Sequence, residues 1–146
     1  MKNTEKWWSF PAEADSGKTV IVTGRDKIEN FRSNGKYIYR VDVKWSYNSL
    51  PDGMPEDDEA KLMGEITDSL LEAFKKDHVA VMTGIYTGDG QRDWVFYTKN
   101  LKIFSSVFNR ALEEYPTIPI LIEASEDKDW EEYEEMRNAT FIPDED

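Results

Sequence analysis

Carboxylates are the reactive side chains that this chain carries in greatest number. Its 146 residues include 30 Asp and Glu against 18 Lys and Arg, which gives a net charge of −12. Adjacent pairs such as Asp57-Asp58 and Glu126-Asp127 can act as acid and base or hold a hard cation. So many acids produce pairs by chance, and a pair becomes specific only where a pocket shifts one pKa. The pairs alone therefore indicate no catalytic residue.

Other side chains that hydrolases and metal sites depend on are scarce. The sequence has no cysteine, and His78 is its single histidine. It contains no Gly-x-Ser-x-Gly or His-Glu-x-x-His motif, and Gly88-Asp89-Gly90 lacks the spacing of a phosphate-binding loop. We therefore expect no catalytic residue, no metal site and no cofactor. The alternative is a carboxylate-based or metal-assisted hydrolytic enzyme.

The negative charge is concentrated near the C-terminal end of the sequence. Between Glu123 and Asp146 there are eleven acids and only two bases, Lys128 and Arg137, so most of the net charge lies there. Like charges at helical spacing repel one another, and a basic partner would relieve that repulsion. The alternative is a solvated helix face that only aids solubility.

The candidate residues for contact with such a partner are acids, one aromatic residue and one arginine. Trp130 and Tyr133 are one helical turn apart, so they share a face and either anchor the helix on the sheet or form a binding hot spot. A wet strand face bearing Arg40, Asp42 and Lys44 is a further candidate surface. The candidate partner-binding residues are Asp127, Trp130, Glu131, Glu134, Glu135 and Arg92.

The first 36 residues predict β structure with turns. An aromatic run at 7–10 ended by Pro11 and a β-branched run at 19–23 flank a turn at 15–17, which indicates a hairpin. Residues 26–31 suit one helical turn. Trp7 and Trp8 must point to opposite faces of a strand, so one of them covers another element or lies in an interface.

The remaining sequence alternates strands with amphipathic helices. Apolar and polar residues alternate from Tyr37 to Tyr47, which predicts a strand with one buried and one largely wet face. Other predicted elements are a helix from Pro55 to about Lys76, strands at 78–87 and 92–98, a helix from Asn100 to Pro116, a strand at 118–123, and a helix capped by Ser125.

This element order predicts the fold class. Strand, helix, strand, strand, helix, strand is the split βαβ arrangement called ferredoxin-like, an α+β sandwich with an antiparallel sheet and two long helices on one face. We expect one domain over 1–146, in which 1–36 add an N-terminal β-hairpin, 37–124 form the ferredoxin-like core, and 125–146 form a short acidic helix and tail. The hairpin and the last helix must extend a sheet edge or cover what the core leaves open.

Three segments of the chain resemble the bacterial domain-of-unknown-function family 695. They are Trp45-Ser46-Tyr47 with Gly53-Met54-Pro55, then Thr87 to Tyr97, and then Glu126 to Tyr133, so the resemblance spans about 37–136. More distantly, Asp127-x-x-Trp130-x-x-Tyr133 is similar to the regulator of ribonuclease E activity B. The resemblance implies a ferredoxin-like fold and, for the distant relative, an acidic protein that inhibits a ribonuclease. It implies no catalytic residue.

Composition and resemblance favour a small regulator over an enzyme. We predict a non-catalytic acidic regulatory or protein-binding module that docks on a basic macromolecular partner, as a monomer or weak homodimer. An immunity-type protein that neutralises a basic toxin is another alternative. The net charge opposes direct nucleic-acid binding, and no apolar run is long enough for a signal peptide or membrane span, so we expect a cytoplasmic protein with no membrane contact.

Overall fold

The computed structural model describes residues 6–143, which form six strands and four helices. Met1–Glu5 and the predicted acidic tail residues Asp144, Glu145 and Asp146 lie outside the described residues. The elements are β1 (Lys6–Glu13), β2 (Thr19–Asp26), α1 (Glu29–Ser33), β3 (Tyr39–Ser46), α2 (Asp57–Lys76), β4 (Ala80–Gly88), β5 (Gln91–Thr98), α3 (Leu101–Ala111), β6 (Ile120–Glu126) and α4 (Glu131–Thr140).

The strands form one antiparallel sheet in the order β1-β2-β4-β5-β3-β6. The predicted α+β class and antiparallel sheet are therefore confirmed. The N-terminal hairpin extends the sheet, because β2 pairs with β4 from Val20↔Gly88 to Gly24↔Gly84. Strands β4 and β5 are joined by Asp89 and Gly90, both with positive φ (55° and 82°), as a tight two-residue hairpin turn requires.

One face of the sheet carries the larger core, under α2 and α3. The alternation predicted for β3 is confirmed, since Val41, Val43 and Trp45 are at most 1% exposed. Leucine, isoleucine, methionine and phenylalanine side chains of α2 and α3 pack on this row in one cluster. Both long helices thus lie on the same face, as the crossover geometry predicts.

The opposite face is covered by α4. Buried Trp130, Tyr133 and Met136 pack against Val95 of β5 and Tyr97 of the same strand, together with residues of β2 and β4. This layer leaves part of the sheet face uncovered. The polar face of β3 is nevertheless not largely wet as predicted, because Arg40, Asp42 and Lys44 are all half-buried.

The adjacent tryptophans of β1 divide between the two faces, as the strand geometry predicts. Trp7 packs at the edge of the α2 and α3 cluster, and Arg25 lies over its ring at 5.1 Å. Trp8 covers α4, where its Nε1 donates to Thr140 Oγ1 at 2.7 Å. Trp8 is thus the residue that covers another element.

Some predicted boundaries are wrong for identifiable reasons. Pro11 does not end β1, because at that position on an edge strand its missing N–H faces away from β2. Ser125 does not cap the last helix but lies in β6, which runs to Glu126. The second long helix ends at Ala111 rather than Pro116, since turns follow it directly.

Candidate binding cleft

A cleft of about 500 Å³ opens on the α4 face of the sheet. Strands β3, β4 and β5 form its floor, and the first turn of α4 forms one wall. Its polar lining consists of Arg40, Asp42, Tyr86, Asp89, Gln91, Asp93 and Glu132, and its apolar lining includes Ala14, Val20 and Val95.

Sheet register brings the polar floor residues together. Lys44, Asp93 and Tyr86 occupy one row across β3, β5 and β4, because Lys44 pairs with Asp93 and Asp93 with Tyr86. Asp42 is in the next row, opposite Val95. Residues in register share a face, so these side chains all point toward α4.

Hydrogen bonds within the cleft leave several buried polar atoms unsatisfied. Arg40 donates to Asp42 Oδ2 at 3.1 Å, Tyr86 donates to Glu132 Oε2, and Gln91 donates to Asp93 Oδ1 at 2.7 Å. Among the described residues no hydrogen-bond partner is found for Arg40 Nε, Asp42 Oδ1 or Glu132 Oε1, although all three atoms are buried. Buried polar atoms of this kind are rare in folded proteins and call for an explanation.

Burial raises the pKa of two carboxyl groups in the cleft. For Glu132, burial outweighs the opposing effects of the Tyr86 hydroxyl and the Arg40 charge, so the net pKa is raised. For Asp93, burial also outweighs the Gln91 hydrogen bond and the Lys44 charge. The tyrosine is affected as well, because burial and the nearby Glu132 charge raise the pKa of Tyr86. Four acids and one arginine line the cleft, so it favours a cation or a proton.

Asp127 positions the wall of the cleft. Its Oδ1 accepts from the Glu131 amide at 2.9 Å and its Oδ2 from the Glu132 amide at 3.2 Å, so the carboxylate satisfies free N–H groups at the start of α4. Tyr97 donates to the same Oδ2 at 2.7 Å. Burial acts to raise the pKa of Asp127, but these hydrogen bonds outweigh it and the pKa is lowered.

Trp130 and Tyr133 anchor α4 on the sheet. The Trp130 ring stacks on Tyr97 with centroids 4.3 Å apart, and its Nε1 donates to the Tyr37 carbonyl at 2.8 Å. Tyr133 donates to the Arg25 carbonyl at 2.6 Å. Because Trp130 is only 1% exposed, it forms part of the core rather than of any contact surface.

The remaining predicted partner-binding residues lie apart from one another. Glu131 and Glu135 are exposed on α4, whereas Glu134 is half-buried and forms an ion pair with Arg32. Arg92 alternates with Asp93 along β5 and so points to the opposite face of the sheet, where it donates to Thr87 Oγ1 at 2.9 Å. Arg92 is therefore not brought together with the acids of α4.

Reasoning from the sequence missed Tyr86, Asp93 and Glu132 as candidates. Asp93 and Glu132 do fall inside two of the segments that resemble the family, which was the available signal.

Part of the excess negative charge is neutralised within the molecule, since Lys44 Nζ lies 2.9 Å from a carboxylate oxygen of Glu123. Within residues 6–143 there is no group of three His, Asp or Glu side chains that could hold a metal ion.

Comparison with known proteins places the chain in a family. The model of a family of unknown function, DUF695, matches residues 5–136, so the match includes the N-terminal hairpin that the resemblance had left out. No curated protein and no solved structure matched, and similarity to the regulator of ribonuclease E activity B stays a prediction. No helix among residues 6–143 is long and apolar enough to cross a membrane. Because the family model matches residues 5–136, the chain belongs to DUF695, a family of unknown function.

Proposed function

We propose that the protein is a non-catalytic binding module that accepts a cationic side chain of a basic partner protein in the cleft. The observation that carries this proposal is a pair of buried oxygens, Asp42 Oδ1 and Glu132 Oε1, that have no hydrogen-bond partner within residues 6–143 and lie in a cleft that four acids line. A lysine ammonium or an arginine guanidinium brings both the positive charge and the N–H donors that these oxygens lack.

The energetics of the cleft favour such a ligand. A buried acceptor without a donor costs about 1–3 kcal/mol, so a group that satisfies it recovers free energy on binding. Glu131 and Glu135 are exposed beside the cleft wall and add a negative field around it. That field speeds the encounter with a basic surface and is screened by salt, so the interaction weakens as ionic strength rises.

The proposal also includes the fold of the module, its cellular compartment and its partner. The inner strand order β4-β5-β3-β6, with α2 and α3 on one face, supports a ferredoxin-like core. We place the module in the cytoplasm. A ribonuclease, the partner implied by the distant resemblance, has a basic RNA-binding surface on which acids can take the place of phosphates.

Titration with an oligoarginine peptide tests the cleft directly. We expect calorimetry to detect binding to the wild type at low salt and a large loss of affinity at high salt. The double variant Asp42→Asn/Glu132→Gln neutralises the two carboxylates that carry the buried oxygens and should lose at least tenfold in affinity. Its matched control, Glu131→Gln/Glu135→Gln, removes the same charge from the exposed face of α4 and should lose much less.

Two results would contradict the proposal. One is no measurable binding of the peptide at low salt. The other is an equal loss of affinity in the cleft variant and the control, because net charge alone would then explain the attraction. With the variants in hand, the natural partner can be sought as a protein that the wild type and the control retain from a lysate and the cleft variant does not.

A second candidate function rests on the raised pKa values of Asp93 and Glu132 in the same cleft. A raised pKa brings a carboxyl group closer to the range in which it can act as a general acid, so a carboxylate-based hydrolase is the alternative. Chromogenic ester, glycoside and phosphate substrates test it. Turnover that falls as pH rises and disappears in Glu132→Gln would favour the enzyme over the binding module.

A further inference from the structure

Strand β6 forms an open edge of the sheet. In the part of the chain that the structure describes, it pairs with β3 on one side only, and residues 121–126 are exposed along their length. Two of its apolar side chains project into solvent, since Leu121 is 58% and Ile122 46% exposed. An edge strand with exposed apolar side chains is a template for pairing with another strand.

The hydrogen bonds at the two ends of β3 show which backbone groups of β6 point away from β3. The Asp127 amide donates to the Ile38 carbonyl, so by alternation the odd residues of β6 direct their N–H and C=O groups to β3. On the other side of β3, the Tyr47 amide donates to the Gly90 carbonyl of the β4–β5 turn, which fits the same alternation. The N–H and C=O groups of Ile122, Ala124 and Glu126 therefore point outward from the sheet.

The opposite edge of the sheet is protected. The Ala14 amide donates to the Lys18 carbonyl, so the odd residues of β1 direct their backbone groups outward, and Pro11 is one of them. A proline at that position removes an outward donor and obstructs a further strand. Strand β6 has no proline, lysine or bulge between Ile120 and Glu126, so the two edges differ in their readiness to pair.

We propose that β6 pairs antiparallel with β6 of a second copy of this chain, with the two-fold axis at Ile122. In that register Ile122 lies opposite Ile122 of the second copy, Ile120 opposite Ala124, and Leu121 opposite Glu123. The outward N–H and C=O groups of the two Ile122 residues bond to each other across the axis, and the Ala124 amide finds the Ile120 carbonyl of the other chain. The Ile120 amide itself donates to the Ile118 carbonyl of its own chain. The two sheets join into one of twelve strands, and the interface is isologous.

Charge disfavours the neighbouring register with its axis at Glu123, whereas pairing about Ile122 places no two acids directly opposite each other. A shift of the axis to Glu123 sets two like charges directly opposite each other, which is unfavourable. With the axis at Ile122 each Glu123 faces a leucine and keeps its ion pair with Lys44. The net charge of −12 on each chain still opposes association at long range, so the dimer strengthens as salt screens the repulsion. The proposed docking of a basic partner has the opposite salt dependence.

Sedimentation equilibrium of the full chain over a range of protein and salt concentrations tests the pairing. We expect a reversible monomer–dimer equilibrium that shifts to dimer at high salt. Ala124→Pro removes an outward N–H without affecting the β3 pairing, and Ile122→Lys places a charge on the axis; each should raise the dissociation constant at least tenfold. Circular dichroism checks that both variants stay folded. If one of them does not fold, the other is enough for the test.

Two matched control variants carry the same kinds of substitution outside β6. Ile103→Lys alters an exposed isoleucine on α3, and Ser9→Pro removes an outward donor from β1, so both should dimerise like the wild type. A wild type that stays monomeric at high concentration and high salt would overturn the proposal, as would dimers unchanged by the β6 variants. Oligoarginine binding by the monomeric variants should be intact, so failure of the dimer is distinguishable from failure of the cleft.

Discussion

The hydroxyl of Tyr97 donates to Asp127 Oδ2 over 2.7 Å, which ties the start of α4 to a central strand of the sheet. The same carboxylate accepts the amides of Glu131 and Glu132, so one side chain both caps the helix and docks it. Since Glu132 forms the wall of the cleft, the position of the wall depends on this bond between strand and helix.

Asp127→Asn should destabilise the protein by about 1–2 kcal/mol, because the amide replaces a charged acceptor at a helix N-terminus. The pKa of Asp127 is lowered in the folded state, so its contribution is present above the ordinary pKa and is lost as pH falls through the lowered value. Urea unfolding of the variant should therefore show a weaker loss of stability in acid than the wild type. Asp129→Asn, an exposed neighbour, is the matched control and should leave the free energy of unfolding unchanged.

Gly24→Ala should destabilise the protein by about 1–3 kcal/mol through overpacking. A Cβ at Gly24 would lie 2.2 Å from Trp8 Cζ2, so the ring that covers α4 must move. The matched control is Gly64→Ala in the exposed middle of α2, where a Cβ meets nothing within 4 Å. That change should stabilise the protein by about 0.5–1 kcal/mol, because alanine is the better helix former. Thermal unfolding of both variants checks the opposite signs, and destabilisation by both would contradict this packing argument.

Trp130→Ala should cost about 3–5 kcal/mol, as expected for deletion of a large buried aromatic side chain. The residue loses its stacking on Tyr97 and its bond to the Tyr37 carbonyl. Trp130→Phe keeps a ring at the site, so denaturant unfolding should show a smaller loss. If Trp130 were instead a surface hot spot, the alanine variant would keep its stability.

Much of the fold follows from local patterns in the sequence, but the cleft does not. Alternation in β3 and the four-residue spacing of apolar side chains in α2 identify the buried faces directly, because both are properties of one element. Glu132 and Asp93 come to line the same cleft only when α4 docks on the sheet. The choice of Asp127 over Ser125 as the cap of α4 likewise depends on Tyr97, a residue of another strand. Contacts between elements of this kind leave no periodic signal in the sequence.

Glu132→Gln should remove a cost that the cleft imposes on folding at neutral pH. Burial raises the pKa of Glu132 in the folded state, so the folded protein binds the proton more tightly than the unfolded chain. Stability therefore falls as pH rises from the ordinary pKa of 4.5 through the raised value, and the penalty persists above it. Glutamine keeps an acceptor for Tyr86 without the charge. We expect the variant to be at least as stable as the wild type at pH 7, with a flatter pH profile in denaturant unfolding. Glu135→Gln, on the exposed face of α4, is the matched control for the loss of one charge and should leave the stability at pH 7 unchanged. A steeper profile in Glu132→Gln would mean that the carboxylate is stabilised in the cleft, and the case for a site that awaits a cation would fail with it.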